Sequence, residues 1–330
     1  MIKAGLQLPN FTFPDRPAAE LFDVIADAAQ VAEASGFDTV FVMDHFFQLP
    51  MLGAPEQEML EAYTLLGALA ARTSTVDLAT LVTGVTYRNP ALLAKIVTTL
   101  DVISKGRAIL GIGAAWFQEE HEALGFDFPR TPVRFEILED ALHICRRMFT
   151  ERQSSFEGAR ASIKDAWNSP RPIREGGPPI LVGGAGEKRT LRLAAEHADA
   201  SNFNCGFDEI PHKLEVLARH CADVGRDRDE ISVSALGTCI IGRTHEEAIA
   251  VLSELVGSRG ADPASLPLDD FAALRKIFPR FFVGSPDEIT EQVADVLALG
   301  LDGIVVNMPT QTDDPEAVAL AGRAFAAAHG

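Results

Sequence analysis

Asp44 and His45 stand side by side in "VMDHFF" (42–47), immediately after an apolar run. A histidine at a strand end can donate to developing negative charge or pass a proton near neutral pH. A structural alternative stands beside that reading, with a satisfied histidine and Asp44 capping the next segment. Phe46 and Phe47 supply either an apolar pocket wall or plain core. A second stretch, "ILVGGAGEKRTLRLAAEHADASNF" (180–203), ends an apolar run in Gly183, Gly184 and Gly186 and opens a helical pattern near Glu187. Backbone N–H groups at a helix start, with a macrodipole worth about half a positive charge, hold phosphate without side-chain cations. The same glycines could equally serve only to tighten a βα turn.

Two further stretches carry glycines near strand ends. In "TLVTGVTYRNP" (80–90), Gly84 interrupts a strand pattern at Thr83-Gly84-Val85, which marks a bulge or a close backbone approach to a ligand, with a plain strand end as the alternative. In "GIGAAWFQEEHEALGFDF" (111–128), Gly111 and Gly113 leave room for a flat ring, and Trp116 could close a pocket. Glu120 and His121, adjacent on a helix, are not expected to face one site, so a surface pair is the plainer expectation. No metal site is implied by any of these residues.

Several chemistries lack their patterns. "HEALGF" at His121 has no second histidine for H-E-x-x-H, no G-x-S-x-G occurs, and the lysine of "GAGEKRT" lies too near the glycines for a P-loop. The glycines at 183–186 do not spell G-x-G-x-x-G either.

The elements that must position these residues alternate from end to end. "IKAGLQL" precedes a helix over 20–35, "TVFVMD" a helix over 61–72, "VDLATLVTG" a helix over 90–104, and "RAILGIG" a long helix over 133–150. Then come "PILVGG", a helix over 187–197, "DASNFN", a helix over 209–224, "ISVSALGTCII", two more helical stretches and "DGIVVN". About eight strands, each followed by a helix, predict βαβ units and a parallel sheet. "ASGFDTVFVMD" (34–44) and "ALGLDGIVVNM" (298–308) repeat one helix-to-strand turn with glycine just past the helix. Eight such units favour an α/β (β/α)8 TIM barrel, one domain over 1–330. Polar insertions at about 154–179, with a hairpin near Glu157-Gly158, and at about 257–280, with a short helix, are expected over the active face.

Composition narrows the partners. With 29 basic and 47 acidic residues the net charge is −18, which repels nucleic acid, so any anionic ligand must be held locally. Cys145, Cys205, Cys221 and Cys239 form no C-x-x-C pair and read as buried free thiols. No signal-length or membrane-length apolar run occurs, so no membrane partner and a cytoplasmic location are expected.

Taken in order, "VMDHFFQLP", "LVTGVTYRNPALLAKIVTTLDVISKGRAILGIGAAWFQEEHEALG", "ILVGGAGEKRTLRLAAEHADASNF" and "FFVGSPDEITEQV" resemble the bacterial luciferase-like monooxygenase superfamily, in its branch of coenzyme F420-dependent oxidoreductases. The resemblance covers nearly the whole chain. It implies a (β/α)8 barrel with coenzyme F420, or alternatively FMN, across the carboxyl ends of the strands. The cofactor phosphate would rest on Gly183, Gly184, Ala185 and Gly186. Its ring would lie against Thr83-Gly84-Val85, near a non-prolyl cis peptide, with Asp44 and Gly113 also in contact. His45 matches the family histidine beside the ring, and Phe46, Phe47 and Trp116 would line a substrate pocket. Trp116 falls near where the sugar-phosphate dehydrogenase branch carries an acidic residue, so glucose 6-phosphate is not the implied substrate. The implied activity is hydride transfer between the deazaflavin and a small organic substrate, in a homodimer. A two-component FMN monooxygenase, a non-redox barrel lyase or isomerase acting on a phosphorylated substrate, and a cofactor-binding protein without catalysis remain alternatives.

Overall fold

Strands β1 (Ala4–Leu8), β2 (Thr39–Val42), β3 (Asp77–Thr80), β4 (Ala108–Gly113), β5 (Ile180–Gly183), β6 (Ala200–Phe203), β7 (Ser232–Ile241) and β8 (Gly303–Asn307) alternate with helices as a (β/α)8 barrel. The helices are α1 (Leu21–Ser35), α2 (Ala62–Arg72), α3 (Pro90–Ser104), α4 (Gln118–Leu124), α5 (Thr131–Thr150), α6 (Thr190–His197), α7 (Ile210–Asp223), α8 (His245–Ser258), α9 (Phe271–Ile277), α10 (Pro286–Leu297) and α11 (Pro315–Ala327). The computed structural model describes residues 2–268 and 270–329. Met1 and Gly330, at the ends of the expected domain, and Asp269, in the second expected insertion, lie outside the described residues. By contacts the chain divides into two compact units, residues 1–40, 203–214 and 232–330, and residues 41–202 with 215–231.

In the first unit β1 pairs in parallel with β8, and β8 with β7. The repeated helix-to-strand turn has a physical basis here. Gly36 and Gly300 both take positive φ (113° and 104°), a left-handed conformation that costs glycine little. The aspartate two residues on then ties down the strand beside it. Asp38 Oδ2 accepts from the N–H of Lys3 (2.8 Å) and Ala4 (3.1 Å), and Asp302 Oδ2 from Val233 (2.7 Å). The second insertion carries a 3-10 turn over Pro263–Ser265 and the short helix α9, and a further strand, Phe281–Gly284, runs parallel to β7.

In the second unit β3, β4, β5 and β6 pair in parallel, and β4 is buried along its whole length, as expected of a strand covered on both faces. Asp199 repeats the turn aspartate's role, accepting from Ile180 N–H at 2.8 Å. The first insertion forms the antiparallel hairpin Gln153–Glu157 with Ser162–Trp167. Its tip is anchored by Asp140 of α5, whose carboxylate accepts from the N–H of Ala159 (3.2 Å), Arg160 (2.6 Å) and Ala161 (2.9 Å). Helix α6 begins at Thr190, three residues later than the sequence pattern places it, because residues 187–189 are spent on a turn. No described helix is long and apolar enough to cross a membrane.

Candidate active site

β2 delivers its next residues, Met43 to Phe47, to a buried ionic cluster. Asp44 is 1% exposed, and both its oxygens are taken by Arg88, at 2.6 and 3.0 Å. Arg88 Nη2 also donates to Glu61 Oε1 at 2.5 Å, and the guanidinium lies 4.8 Å from the centre of the Tyr63 ring. Burial pushes the Asp44 carboxyl above its ordinary range despite the attraction of Arg88. For half-exposed Glu61, burial pulls the same way, but bonds from Thr64 and Arg88 outweigh it and hold the carboxyl low. With its carboxylate committed to Arg88, Asp44 has only its backbone to offer a cofactor.

His45 follows at the edge of this cluster. Its Nδ1 lies 3.1 Å from Glu120 Oε2, and its ring meets Trp116 and Phe117 edge-on, with centroids 5.8 and 5.9 Å away. Glu120 is fully buried. Its Oε1 accepts from the N–H of Phe46 (2.5 Å) and Phe47 (2.9 Å), and the Tyr87 hydroxyl donates to Oε2. Burial would raise this carboxyl, but the bonds to His45, Tyr87 and the Phe47 amide outweigh it and hold it low.

His121 is equally buried. Its Nε2 lies 2.6 Å from Thr86 Oγ1, its Nδ1 2.7 Å from the Phe117 carbonyl, and its ring stacks on Tyr87 with centroids 4.5 Å apart. The expectation of a surface pair at Glu120 and His121 is therefore overturned. Adjacent residues on α4 both turn inward because the His45 turn covers the helix on one side and Tyr87 and Thr86 on the other.

The aromatic residues divide. Phe46 packs edge-on to Tyr87 (5.1 Å) and beside Phe126 (5.7 Å), and Phe47 packs on the cluster of Met43, Leu49 and Phe117. Both are half-buried in protein contacts. Trp116 stacks on Phe117 at 5.2 Å and stays 54% exposed, which leaves a large apolar face beside His45 open to a ligand.

Gly111, Gly113 and Gly183 lie against one side chain that the sequence pattern does not single out. The Leu81–Val82 peptide is cis, just ahead of the stretch where such a bond was expected. Half-exposed Val82 occupies the space that a Cβ would need at Gly183 (2.6 Å to Val82 Cγ1) and at Gly113 (3.0 Å to Cγ2). Thr83 and Gly84 pair with Ile112 and Gly113. Thr83, Gly84 and Val85 are all buried, with Thr83 Oγ1 at 2.6 Å from Tyr63 Oη and 2.9 Å from Thr80 Oγ1. The surface offered here is thus Val82, with Thr83-Gly84-Val85 as its support.

In the glycine loop, Gly184 takes φ +119° and donates its N–H to the Asn202 carbonyl at 2.9 Å, so that amide is already spent. Among the described residues the N–H groups of Ala185 and Gly186 have no protein acceptor. Of the four residues expected to cradle a phosphate, Ala185 and Gly186 thus present open backbone donors.

A cation also stands nearby in the chain's second unit that sequence reading missed. A cavity of about 460 Å³ is lined by Trp116, Arg130 and Arg134 among others, with no carboxylate in its wall. Arg134 is 8% exposed. It donates to the carbonyls of Ala114 (3.0 Å) and Pro129 (2.7 Å) and to Thr131 Oγ1 (3.3 Å), which engages three of its five donors. In a chain of net charge −18, such a cavity suits an anion. The open amides following the glycine-framed Val82 surface fit a flat ring with a phosphorylated tail.

Residues 2–303 match the family of luciferase-like monooxygenases. The F420-dependent glucose-6-phosphate dehydrogenase of Microbacterium testaceum (strain StLB037) is 30% identical over 86% of this chain and 87% of its own length. Among solved structures, the coenzyme F420-dependent tetrahydromethanopterin reductase of Methanopyrus kandleri superposes with a TM-score of 0.75 at 21% identity, over 98% of this chain and 97% of that one. The FMN complex of the oxygenating constituent of 3,6-diketocamphane monooxygenase from Pseudomonas putida gives 0.77 at 20% identity, over 99% and 98%.

Proposed function

The chain belongs to the luciferase-like monooxygenase family, and on that premise we propose that it is an oxidoreductase transferring a hydride between coenzyme F420 and a small organic substrate. The observation that carries this reading is the Val82 surface framed by Gly113 and Gly183, with the open amides of Ala185 and Gly186 following it. That arrangement takes a flat ring and an anionic tail, and F420-dependent relatives are prominent among similar proteins. When bound, the deazaflavin supplies the carbon that accepts or donates the hydride.

The chain's own residues would then act as follows. Ala185 and Gly186 donate to the tail phosphate, and Arg134 adds charge where the anion gathers. Val82 supports the ring, with Thr83, Gly84 and Val85 beneath it and the Asp44 backbone beside it. His45 holds or moves a proton at Nε2, which has no protein partner among the described residues. Trp116 walls the substrate's place, assisted by Phe46 and Phe47, and as an indole it offers no acid for sugar-phosphate chemistry. We further assign a single barrel domain over 1–330 with insertions at about 154–179 and 257–280, acting in the cytoplasm as a homodimer on a small molecule, with no nucleic-acid or membrane partner.

Titrating the pure protein with oxidised F420 and, separately, FMN, read by fluorescence quenching, tests the assignment. Saturable F420 binding supports it. Tight FMN binding with none for F420 refutes it in favour of a flavin monooxygenase, and binding of neither points to non-redox barrel chemistry. In His45→Ala, turnover should fall far more than cofactor affinity; equal losses would make His45 structural.

A further inference from the structure

Glu120 faces three hydrogen-bond donors and the imidazole of His45. Its Oε1 is taken by two backbone amides, of Phe46 and Phe47, which can only donate. Its Oε2 faces the Tyr87 hydroxyl and His45 Nδ1. We propose that Glu120 is the positioning residue that fixes the tautomer of His45, with the ring proton on Nδ1 and a bare Nε2 turned to the reactants, and that Tyr87 keeps Glu120 in place for that task. The proposal rests on the reading that His45 meets the reactants.

Three donors gathered on one carboxyl, two of them backbone amides, favour its ionised form. An Nδ1 lone pair set against it would be repelled, so Nδ1 must carry hydrogen. The low carboxyl range of Glu120 agrees with an ionised group. Trp116 and Phe117 packed edge-on against the imidazole oppose a ring flip that would exchange the two nitrogens. Tyr87 is itself held, stacked on His121 and edge-on to Phe46, so its hydroxyl reaches Glu120 from a fixed ring. Neither residue needs to touch a reactant; each acts through His45.

The tautomer can be read without cofactor or substrate, which separates this proposal from the assignment of F420. In protein labelled with 15N-histidine, two-bond proton–nitrogen spectra distinguish the two neutral forms, and His45→Asn identifies the His45 signals among the eight histidines. The native protein at alkaline pH should show hydrogen on Nδ1. Glu120→Gln keeps the size of the side chain but turns an NH2 toward Nδ1, so His45 should switch to the Nε2-protonated form and turnover should fall about 10³-fold or more, the scale known for a wrong-tautomer histidine. Tyr87→Phe should keep the native tautomer and lower turnover about tenfold, the loss of one charge-assisted hydrogen bond, with cofactor affinity within about twofold. A native His45 protonated on Nε2, a Glu120→Gln protein that keeps the native tautomer, or a Tyr87→Phe protein with full turnover would each overturn the proposal. If Glu120→Gln does not fold, the native spectrum and Tyr87→Phe still decide it.

Discussion

Replacing Arg88 by Met tests whether the ionic cluster before His45 holds the site together. Arg88 is 10% exposed in its side chain and faces Asp44, whose carboxylate has no exposure, so its loss strands a buried charge. Breaking a buried pair from one side costs about 3–5 kcal/mol. The bond to Glu61, whose side chain is 38% exposed, adds well under 1 kcal/mol after solvent screening, and the Tyr63 ring contact adds roughly 1 kcal/mol. Methionine returns some apolar packing, so a net loss of about 4 kcal/mol is expected at neutral pH.

The loss should depend on pH in a definite direction. Asp44 already has a folded pKa above its unfolded value, and removing Arg88 raises it further. A carboxyl raised on folding stabilises the native state below its unfolded pKa and loses that contribution as pH rises through its folded pKa. Arg88→Met should therefore be most deficient near pH 8 and recover part of the deficit by about pH 5.5. Urea unfolding of both proteins at the two pH values measures the difference, and Asp44→Asn combined with Arg88→Met should regain about 2 kcal/mol by removing the stranded charge. A deficit below about 1 kcal/mol, or one that grows on acidification, would refute the reasoning.

Gly183→Ala should cost about 1–3 kcal/mol by overpacking and weaken cofactor binding, since the new Cβ falls 2.6 Å from Val82 Cγ1; thermal melting with cofactor titration checks both, and unchanged affinity would remove Val82 from the binding surface. Glu120 is held below its ordinary value of 4.5, so its contribution to stability is present above that pH and lost as pH falls through the folded pKa. The stability gap between the native protein and Glu120→Gln should accordingly narrow in acid, which acid titration followed by circular dichroism measures. Asp140→Ala removes the acceptor for three amides at the hairpin tip, so Ala159, Arg160 and Ala161 should lose hydrogen-exchange protection while α5 keeps its own.

Local pattern was sufficient wherever one element dictates its own geometry. Strand and helix periods revealed the alternating units, and Gly36 and Gly300 announced left-handed turns because few other residues enter that conformation cheaply. The residues Asp44 and His45 could be placed at the end of β2 because a strand's end is a local feature. Partners far apart in the chain could not be read in this way. Arg88 reaches Asp44 from 44 residues away and Glu120 reaches His45 from 75, and no periodicity records which carboxylate a buried cation or imidazole will meet. The short helix α4 shows the limit most clearly: one exposed flank would have made Glu120 and His121 a surface pair. Packing on both flanks buries them, and burial of polar groups demands partners that only the folded chain supplies.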